Sequence, residues 1–417
     1  MYQKPKGTED YFPEEKEVFN RIADSLRYTC KSYGYKEISS PAFESIGLLT
    51  AKQGPEIKSQ IFLLERKGGV NEKNEEKEEY GLRFDLTVPM ARMFIEKQKE
   101  LPKPVKWFSI SRMWRYERPQ QGRQREFYQL SVECFGSDKP EADAEIICMV
   151  IDCLRNLGLT KKDFVVKINN RALLQDFVQS IGATDYEAVF RAIDKKQKIP
   201  GDVFDKELKN AGLNYDQIKK IKEFIGIKDI DKIKIKSAGL ENLKKVLALL
   251  EKKKEFIEID LSTARGLAYY TGIVFEIFDK QGKLRSIAGG GRYDNLISLL
   301  GGDKCPATGF AIGFATLSLL LKEKKLLPKI SFSVDYYIAP IGEKALEKAF
   351  EIAEKLRKNA VVEMDIMGRS LAKQLEYANK INAKNVVIIG DDELKKKEVK
   401  IKDMNTGKEK IIKIDSL

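Results

Sequence analysis

The stretch Ser111-Arg112-Met113-Trp114-Arg115-Tyr116-Glu117-Arg118-Pro119-Gln120-Gln121-Gly122-Arg123-Gln124-Arg125-Glu126-Phe127-Tyr128-Gln129 decides the reading of this chain. Apolar and aromatic residues at its two ends mark strands, and Pro119 and Gly122 mark the loop between them. Residues 112–125 hold five arginines, one acid and no lysine. Elsewhere lysine is abundant, in a chain of 417 residues with 75 Lys+Arg against 63 Asp+Glu. A solvated charged hairpin would take lysine as readily as arginine. The choice of arginine points instead to bidentate guanidinium contacts, a clamp for a nucleotide and the end of a polyanion.

Outward from this hairpin the pattern alternates helical and extended stretches. Residues 14–33 carry apolar side chains at helical spacing (Val18, Ile22, Leu26 and Tyr28), and Tyr35–Pro41 is a short strand that ends at the proline. Residues 67–80 are glycine- and charge-rich and read as an exposed loop or hairpin tip. Asp85 and Thr87 then lead into a helix. After the hairpin, Ser137-Asp138 is placed to cap a helix whose first turn holds Pro140 and whose face is Ala144, Ile147, Ile151 and Leu154. From about 163 to 255 the texture becomes short, lysine-rich helical pieces; residues 216–256 hold twelve lysines against seven acids. This predicts a helical insert whose lysines form either a basic binding face or an ordinary solvated surface. Strands return at 257–261 and 273–278, followed by a Gly-Gly-Gly turn at 289–291 and a helix at 292–300. Beyond a linker at 322–329, strands at 336–339, 361–364 and 386–389 alternate with helices at 343–358 and 370–379, which predicts parallel pairing; a hairpin closes the chain around Asn405-Thr406-Gly407.

Composition excludes much. There is no histidine, so Ser-His-Asp and Cys-His nucleophile pairs and imidazole zinc ligands are ruled out. Carboxylates, arginines, tyrosines and backbone groups must carry any catalysis. The five cysteines lack metal-site spacing and are odd in number, which predicts reduced thiols in a cytoplasmic protein and no metal site. No uncharged apolar run approaches the ~20 residues of a membrane span, and the start has no apolar signal region.

Two further constellations complete the set: Arg265-Gly266-Leu267-Ala268-Tyr269-Tyr270 leading to Phe275-Glu276, and Gly289-Gly290-Gly291-Arg292-Tyr293-Asp294 followed by Gly309–Gly313. In this order, with Lys6-Gly7-Thr8 and Pro41 before them, they resemble the histidyl-tRNA synthetase family, class II aminoacyl-tRNA synthetases, over essentially the whole chain. Pro41 looks like part of the dimer-forming motif 1, Arg115 through Glu133 like motif 2, Arg265–Tyr270 like the histidine-specific signature, and Gly309–Gly313 like the start of motif 3. Leu356-Arg357, Arg369-Ser370-Leu371 and Ile388-Ile389-Gly390 resemble the class IIa anticodon-binding domain.

The resemblance implies an α+β catalytic domain over residues 1–325, with an antiparallel sheet, flanking helices and the helical insert at about 163–255, and an α/β anticodon-binding domain over 330–417. It implies ATP-dependent activation of L-histidine and transfer to tRNA(His), with Mg2+ accompanying the ATP, in a homodimer. Arg115 and Arg265 would act on the carboxylate and α-phosphate. Asp85, Thr87, Gln129, Glu133, Tyr269 and Tyr270, with the two arginines, would hold histidine. Glu117, Arg123, Phe127, Gly309 and Gly313, with Arg115, would hold ATP, and Arg118 and Gln120 would meet the tRNA. Two positions depart from the family pattern: Ala315-Thr316 replaces the acid–arginine pair of motif 3, and Ala268 stands where an acid is usual. The first departure motivates an alternative, a catalytically silent paralogue that regulates or senses tRNA. In the leading reading, Arg265→Ala lowers histidine-dependent pyrophosphate exchange by orders of magnitude while its circular dichroism melt stays like that of the wild type; an unchanged exchange rate removes Arg265 from the mechanism.

Overall fold

The computed structural model describes residues 2–51, 55–65, 79–120, 122–196, 199–264 and 269–417. It divides into two compact units, Met1–Pro328 and Lys329–Leu417. The first unit runs α1 (Pro13–Ser32), β1 (Lys36–Glu37), β2 (Phe43–Ser45), α2 (Ile46–Thr50), β3 (Leu63–Leu64), β4 (Tyr80–Leu82), α3 (Thr87–Glu96), β5 (Val105–Trp114), β6 (Glu126–Phe135), α4 (Pro140–Arg155) and β7 (Phe164–Asn170). It continues with α5 (Arg171–Ser180), α6 (Tyr186–Lys195), α7 (Gly201–Asn210), α8 (Tyr215–Ile225), α9 (Ala238–Leu249), β8 (Ile257–Ile259), β9 (Ile273–Asp279), β10 (Ala288–Arg292), α10 (Leu296–Leu299), β11 (Ala307–Gly313) and α11 (Phe314–Glu323).

Among the described residues one sheet of eight strands is ordered β1-β5-β6-β11-β10-β9-β7-β8. Its β1–β5 and β7–β8 pairs are parallel and the others antiparallel. Strand periodicity sorts the side chains between its two faces. Leu130, Val132 and Cys134 of β6, Phe310 and Ile312 of β11, Phe275 and Ile277 of β9, and Val166 and Ile168 of β7 pack into one core with α1, α4 and the insert helices. The opposite face holds a smaller core, in which Met113, Phe135, Val274 and Ala307 meet α3 and α10. The rest of that face is open and forms the floor of a cleft. A separate small sheet is ordered β2-β4-β3. Most of the charged stretch predicted as a hairpin tip at 67–80 lies outside the described residues.

Several local expectations are corrected by tertiary contacts. Ser137 and Asp138 do not cap α4: Lys139 occupies the cap position without a side-chain bond. The carbonyls of Ser137 and Lys139 instead accept from Arg292 Nη1 (2.8 Å) and Nη2 (3.2 Å), and Arg292 Nε donates to both carboxylate oxygens of Asp143 (3.1 and 2.9 Å). This buried pair ties β10 to the first turn of α4, a geometry in which each charge compensates the desolvation of the other. The Gly-Gly-Gly run is not a turn; it forms most of β10, paired on both sides and buried. A Cβ at Gly290 would overlap the Gly309 carbonyl oxygen and lie 2.7 Å from Phe275 Cζ and Phe310 Cβ. Strand packing therefore accounts for the run, and the helix predicted at 292–300 shrinks to Leu296–Leu299 because Arg292 still belongs to the sheet. The strand predicted at 35–41 is only Lys36–Glu37. The segment expected to become helical at 163 first supplies β7 to the main sheet, and its helices start at Arg171.

The second unit runs β12 (Val334–Pro340), α12 (Lys344–Arg357), β13 (Val362–Met364), α13 (Leu371–Lys380), β14 (Ala383–Ile389), α14 (Asp391–Lys396), β15 (Glu398–Asp403) and β16 (Glu409–Lys413). The order is β13-β12-β14-β15-β16. β12 pairs in parallel with β13 and β14, as the alternation of strands and helices predicts, and β15–β16 is the terminal hairpin. Its turn is held by Asp403 Oδ1, which accepts from the backbone of Asn405 and Thr406, and by Gly407 at φ +72°. No helix among the described residues is long and apolar enough to cross a membrane.

Replacing Gly290 by alanine forces a methyl into backbone and ring atoms that cannot both retreat. The expected loss is about 1–3 kcal/mol in urea unfolding, the range for overpacking a tight core, and an unchanged midpoint would show that β10 and β11 can separate.

Candidate active site

The cleft encloses about 1830 Å³ and lies entirely in the first unit. Its floor is the second face of the sheet: Phe127, Gln129 and Glu133 from β6, Gly309, Ala311 and Gly313 from β11, Gly289 from β10, Glu276 and Phe278 from β9, and Val165 and Lys167 from β7. In the middle of this face β10 and β11 contribute nothing larger than a methyl, whereas their other face carries Phe310 and Ile312. The cleft is thus built by sequence alternation within single strands.

At one end the polar side chains converge. Glu133 is 1% exposed and Gln129 is 6% exposed, with Gln129 Nε2 donating to Ser131 Oγ at 2.8 Å. A Cβ at Gly309 would overlap both Glu133 Oε2 and the Tyr293 hydroxyl oxygen, so these two groups approach one point that only glycine leaves free. The buried Tyr293 hydroxyl has no hydrogen-bond partner among the described residues. Its ring meets Tyr269 at 5.6 Å and Tyr270 at 6.1 Å between centroids, and Tyr269 stacks on Tyr270 at 4.5 Å. A carboxylate and phenols in a buried site can distinguish a ring with one N–H donor and one nitrogen acceptor from rings that have neither.

Toward the opposite end of β6 stands Arg115. Its Nε donates to the Phe84 carbonyl at 3.1 Å and its guanidinium carbon lies 5.1 Å from the centre of the Phe127 ring. Asp85 Oδ1 accepts from the Thr87 backbone N–H at 2.8 Å, which turns the chain into α3 and sets both residues on the cleft wall. Arg123 lines the cleft and is paired with Glu117 at 2.5 Å. Gly7, at φ +88°, accepts from the Arg125 backbone at 2.7 Å; a Cβ there would lie 2.9 Å from Pro119 Cγ, so the Lys6-Gly7-Thr8 opening braces the arginine loop.

The arginine clamp expected from the sequence is therefore divided. Arg112 shares a face with Phe108 and Ile110, opposite Phe127 and Glu133, where it donates to the Tyr128 hydroxyl at 2.9 Å and pairs with Glu126 at 3.1 Å. Arg125 packs over the Tyr116 ring at 4.5 Å. Arg118 is exposed and, like Gln120, does not line the cleft; Gln120 Oε1 accepts from Arg285 Nη2 at 3.0 Å. Arg265 and Ala268 lie outside the described residues. The approach to them is well anchored: Asn169 Nδ2 donates to the carbonyls of Leu261 and Thr263, both at 3.1 Å. Asp260 accepts from Ser262 Oγ at 2.5 Å. Burial pushes the Asp260 carboxyl up, and Ser262 together with Lys228 and Lys167 more than offsets this, leaving it below the usual carboxylate range.

Sequence reasoning did not single out Tyr293, Glu276, Asn169, Asp260 or Arg285 as site residues. The one available signal was the period of two: Glu276 falls on the same strand face as Val274 and Phe278, alternating with core residues Phe275 and Ile277.

Comparison with known proteins agrees with this geometry. The family model described as histidyl-tRNA synthetase matches residues 7–317, and the model of an anticodon binding domain matches residues 335–417. This chain belongs to the histidyl-tRNA synthetase family. The histidine–tRNA ligase of Pyrococcus furiosus is 38% identical over 100% of this chain and 98% of its own length. That of Haloquadratum walsbyi is 40% identical over 100% and 97%. Among solved structures, histidyl-tRNA synthetase from a Nostoc species has a TM-score of 0.78 at 27% identity, covering 100% of this chain and 98% of the other. The S. aureus histidyl-tRNA synthetase has 0.72 at 25% identity, with the same coverage. The class II catalytic fold with a C-terminal anticodon-binding domain, expected from the motifs, is the fold observed. Nothing in these likenesses favours a silent paralogue.

Gly309→Ala tests the convergence on Glu133. Within this synthetase the methyl displaces the Glu133 carboxyl and the Tyr293 hydroxyl, so the KM for histidine in pyrophosphate exchange should rise by about tenfold or more and the KM for ATP by much less. Equal changes in the two constants would count against a histidine pocket at this point.

Proposed function

We propose that the cleft condenses the carboxylate of L-histidine with the α-phosphate of ATP, expelling pyrophosphate, and then passes the histidyl group to the 3′ end of tRNA(His). The observation that carries this is the buried Glu133 carboxylate converging with the Tyr293 hydroxyl at Gly309, with Phe127 further along the same face of β6 and Arg115 against its ring. An imidazole in this pocket donates its N–H to Glu133, and the tyrosines face its other nitrogen. Asp85 and Thr87 stand on the wall where a substrate ammonium would be held, and Gln129 closes the floor.

Phosphoryl-group chemistry of this kind asks the protein for position and positive charge rather than for a nucleophile of its own. Arg115 meets the histidine carboxylate and the α-phosphate from one side and Arg265 from the other. Phe127 takes one face of the adenine. Glu117 and Arg123, now paired with each other, separate to hold the base edge and the terminal phosphates, and Gly313 lets the nucleotide approach the sheet, whereas Gly309 leaves room beside Glu133 for the histidine. Magnesium enters on the phosphates as part of the ATP substrate. None of these steps needs an enzyme histidine, and the chain's own synthesis consumes no histidyl-tRNA.

Residues 1–325 act as the catalytic domain, with the insert at about 163–255 over the acceptor stem, and residues 330–417 read the anticodon. Arg118 and Gln120, outside the cleft on the arginine loop, would meet the acceptor end. Exposed Phe43, Leu63 and Leu64 on the small sheet support a homodimer. Five free cysteines support a reducing, cytoplasmic setting.

Pyrophosphate exchange measured separately with each of the twenty amino acids should rise above background with histidine alone. The absence of a histidine signal would overturn the assignment.

A further inference from the structure

The base of a bound nucleotide lying on Phe127 would have a second face, and beyond β11 the cleft is lined by Ala315 and Thr316, which carry no charge. Thr316 is 6% exposed and its hydroxyl ends close to the loop, 3.4 Å from where a Cβ on Gly122 would lie. It is too short to cover a purine. A cation reaches this end of the cleft from the loop that leads into the neighbouring strand, β10.

The strand registers show how. Gln129 of β6 is opposite Gly313 of β11, and Ile312 of β11 is opposite Ala288 of β10. The ladder continues one step further, with Gly313 N–H donating to the Ile287 carbonyl at 3.2 Å. At this end of the sheet Phe127 lies in β6, Ala315 in the first turn of α11 just after β11, and Arg285 in the loop just before β10. All three line the cleft. Arg285 is exposed and has no carboxylate partner among the described residues; its Nη2 donates to the neutral Gln120 Oε1 at 3.0 Å. The charge stays uncompensated while the hydrogen bond fixes its position. The tip of the arginine loop thus reaches from Thr316, through Gly122, to Arg285, through Gln120.

We propose that Arg285 is a nucleotide-binding residue, whose guanidinium covers the face of the adenine opposite Phe127 and takes the place of a cation at position 316. Arginine suits this position because its planar group stacks on a π-face while its remaining N–H groups keep a hydrogen bond in plane. Gln120 is then a positioning residue that orients this group. The inference rests on the reading of the cleft as the ATP site of histidine activation.

The test is pyrophosphate exchange on the full chain, with the wild type, Arg285→Ala, Arg285→Lys and the double variant Arg285→Ala/Thr316→Arg. Removing the guanidinium should raise the KM for ATP roughly five- to thirtyfold, with the KM for histidine and for pyrophosphate changed less than about twofold, since the contact is to the base. Lysine should fall between, and Thr316→Arg should restore part of the ATP affinity lost in Arg285→Ala, a rescue that a merely structural role would not give. An unchanged KM for ATP in Arg285→Ala, or a change confined to the KM for tRNA in aminoacylation, would overturn the role of Arg285 and leave histidine activation standing. A wild type without histidine-dependent exchange would overturn both.

Discussion

The cleft depends on one steric constraint: the middle of an eight-stranded sheet must be thick on one face and nearly bare on the other. β10 and β11 meet it with glycine and alanine toward the cleft and with Phe310, Ile312 and their neighbours toward the core. Their close approach leaves no room for a Cβ at Gly290, and the convergence of Glu133 and Tyr293 leaves none at Gly309. Everything else in the site is arranged around that bare strip. Bulky polar and aromatic residues rise on its two sides, from β6 and from the chain around Tyr269 and Tyr270, so a substrate bound between them lies almost against backbone. The buried Arg292–Asp143 pair holds β10 to α4 from behind, where its two charges face each other rather than the cleft.

Strand alternation also divides the arginines by task. Arg112 and Arg115 lie three residues apart, so the period of two sends them to different surroundings, and only Arg115 stands beside the substrate floor. Arg123 enters the cleft from the loop and Arg125 braces it against Tyr116. Arg285 arrives from a separate part of the chain and joins them through Gln120. The arginines of the cleft thus come from one hairpin and from a distant segment joined to it through a side-chain hydrogen bond, which suits a substrate with a carboxylate and a triphosphate to hold at once.

Much of this was legible beforehand because it is local. The helix at 13–32, the hairpin around the arginine loop, the parallel pairing of the second unit and its terminal turn all follow from periodicity, Pro and Gly placement and side-chain caps, which act over a few residues. Motif order carried the family and, with it, Asp85, Thr87, Arg115, Phe127, Gln129, Glu133, Tyr269 and Tyr270, all of which line one cleft. The misreadings share a cause. Gly289–Gly291 looked like a turn and Ser137-Asp138 like a cap because local propensity favours both. The first was overruled by two neighbouring strands and the second by a guanidinium about 150 residues away in sequence.

The sequence by itself determined the chemistry available: no imidazole, abundant guanidinium, an arginine hairpin and the order of motifs that names the family. These are properties of residue identity and of spacing along the chain, and folding does not alter them. Only the tertiary structure decided which arginines share the cleft, that Tyr293 points its hydroxyl beside Glu133, and that Arg285 stands at the end where Thr316 carries no charge. Those are distances between residues far apart in the chain, and such distances are set by strand register and packing, which no local pattern encodes.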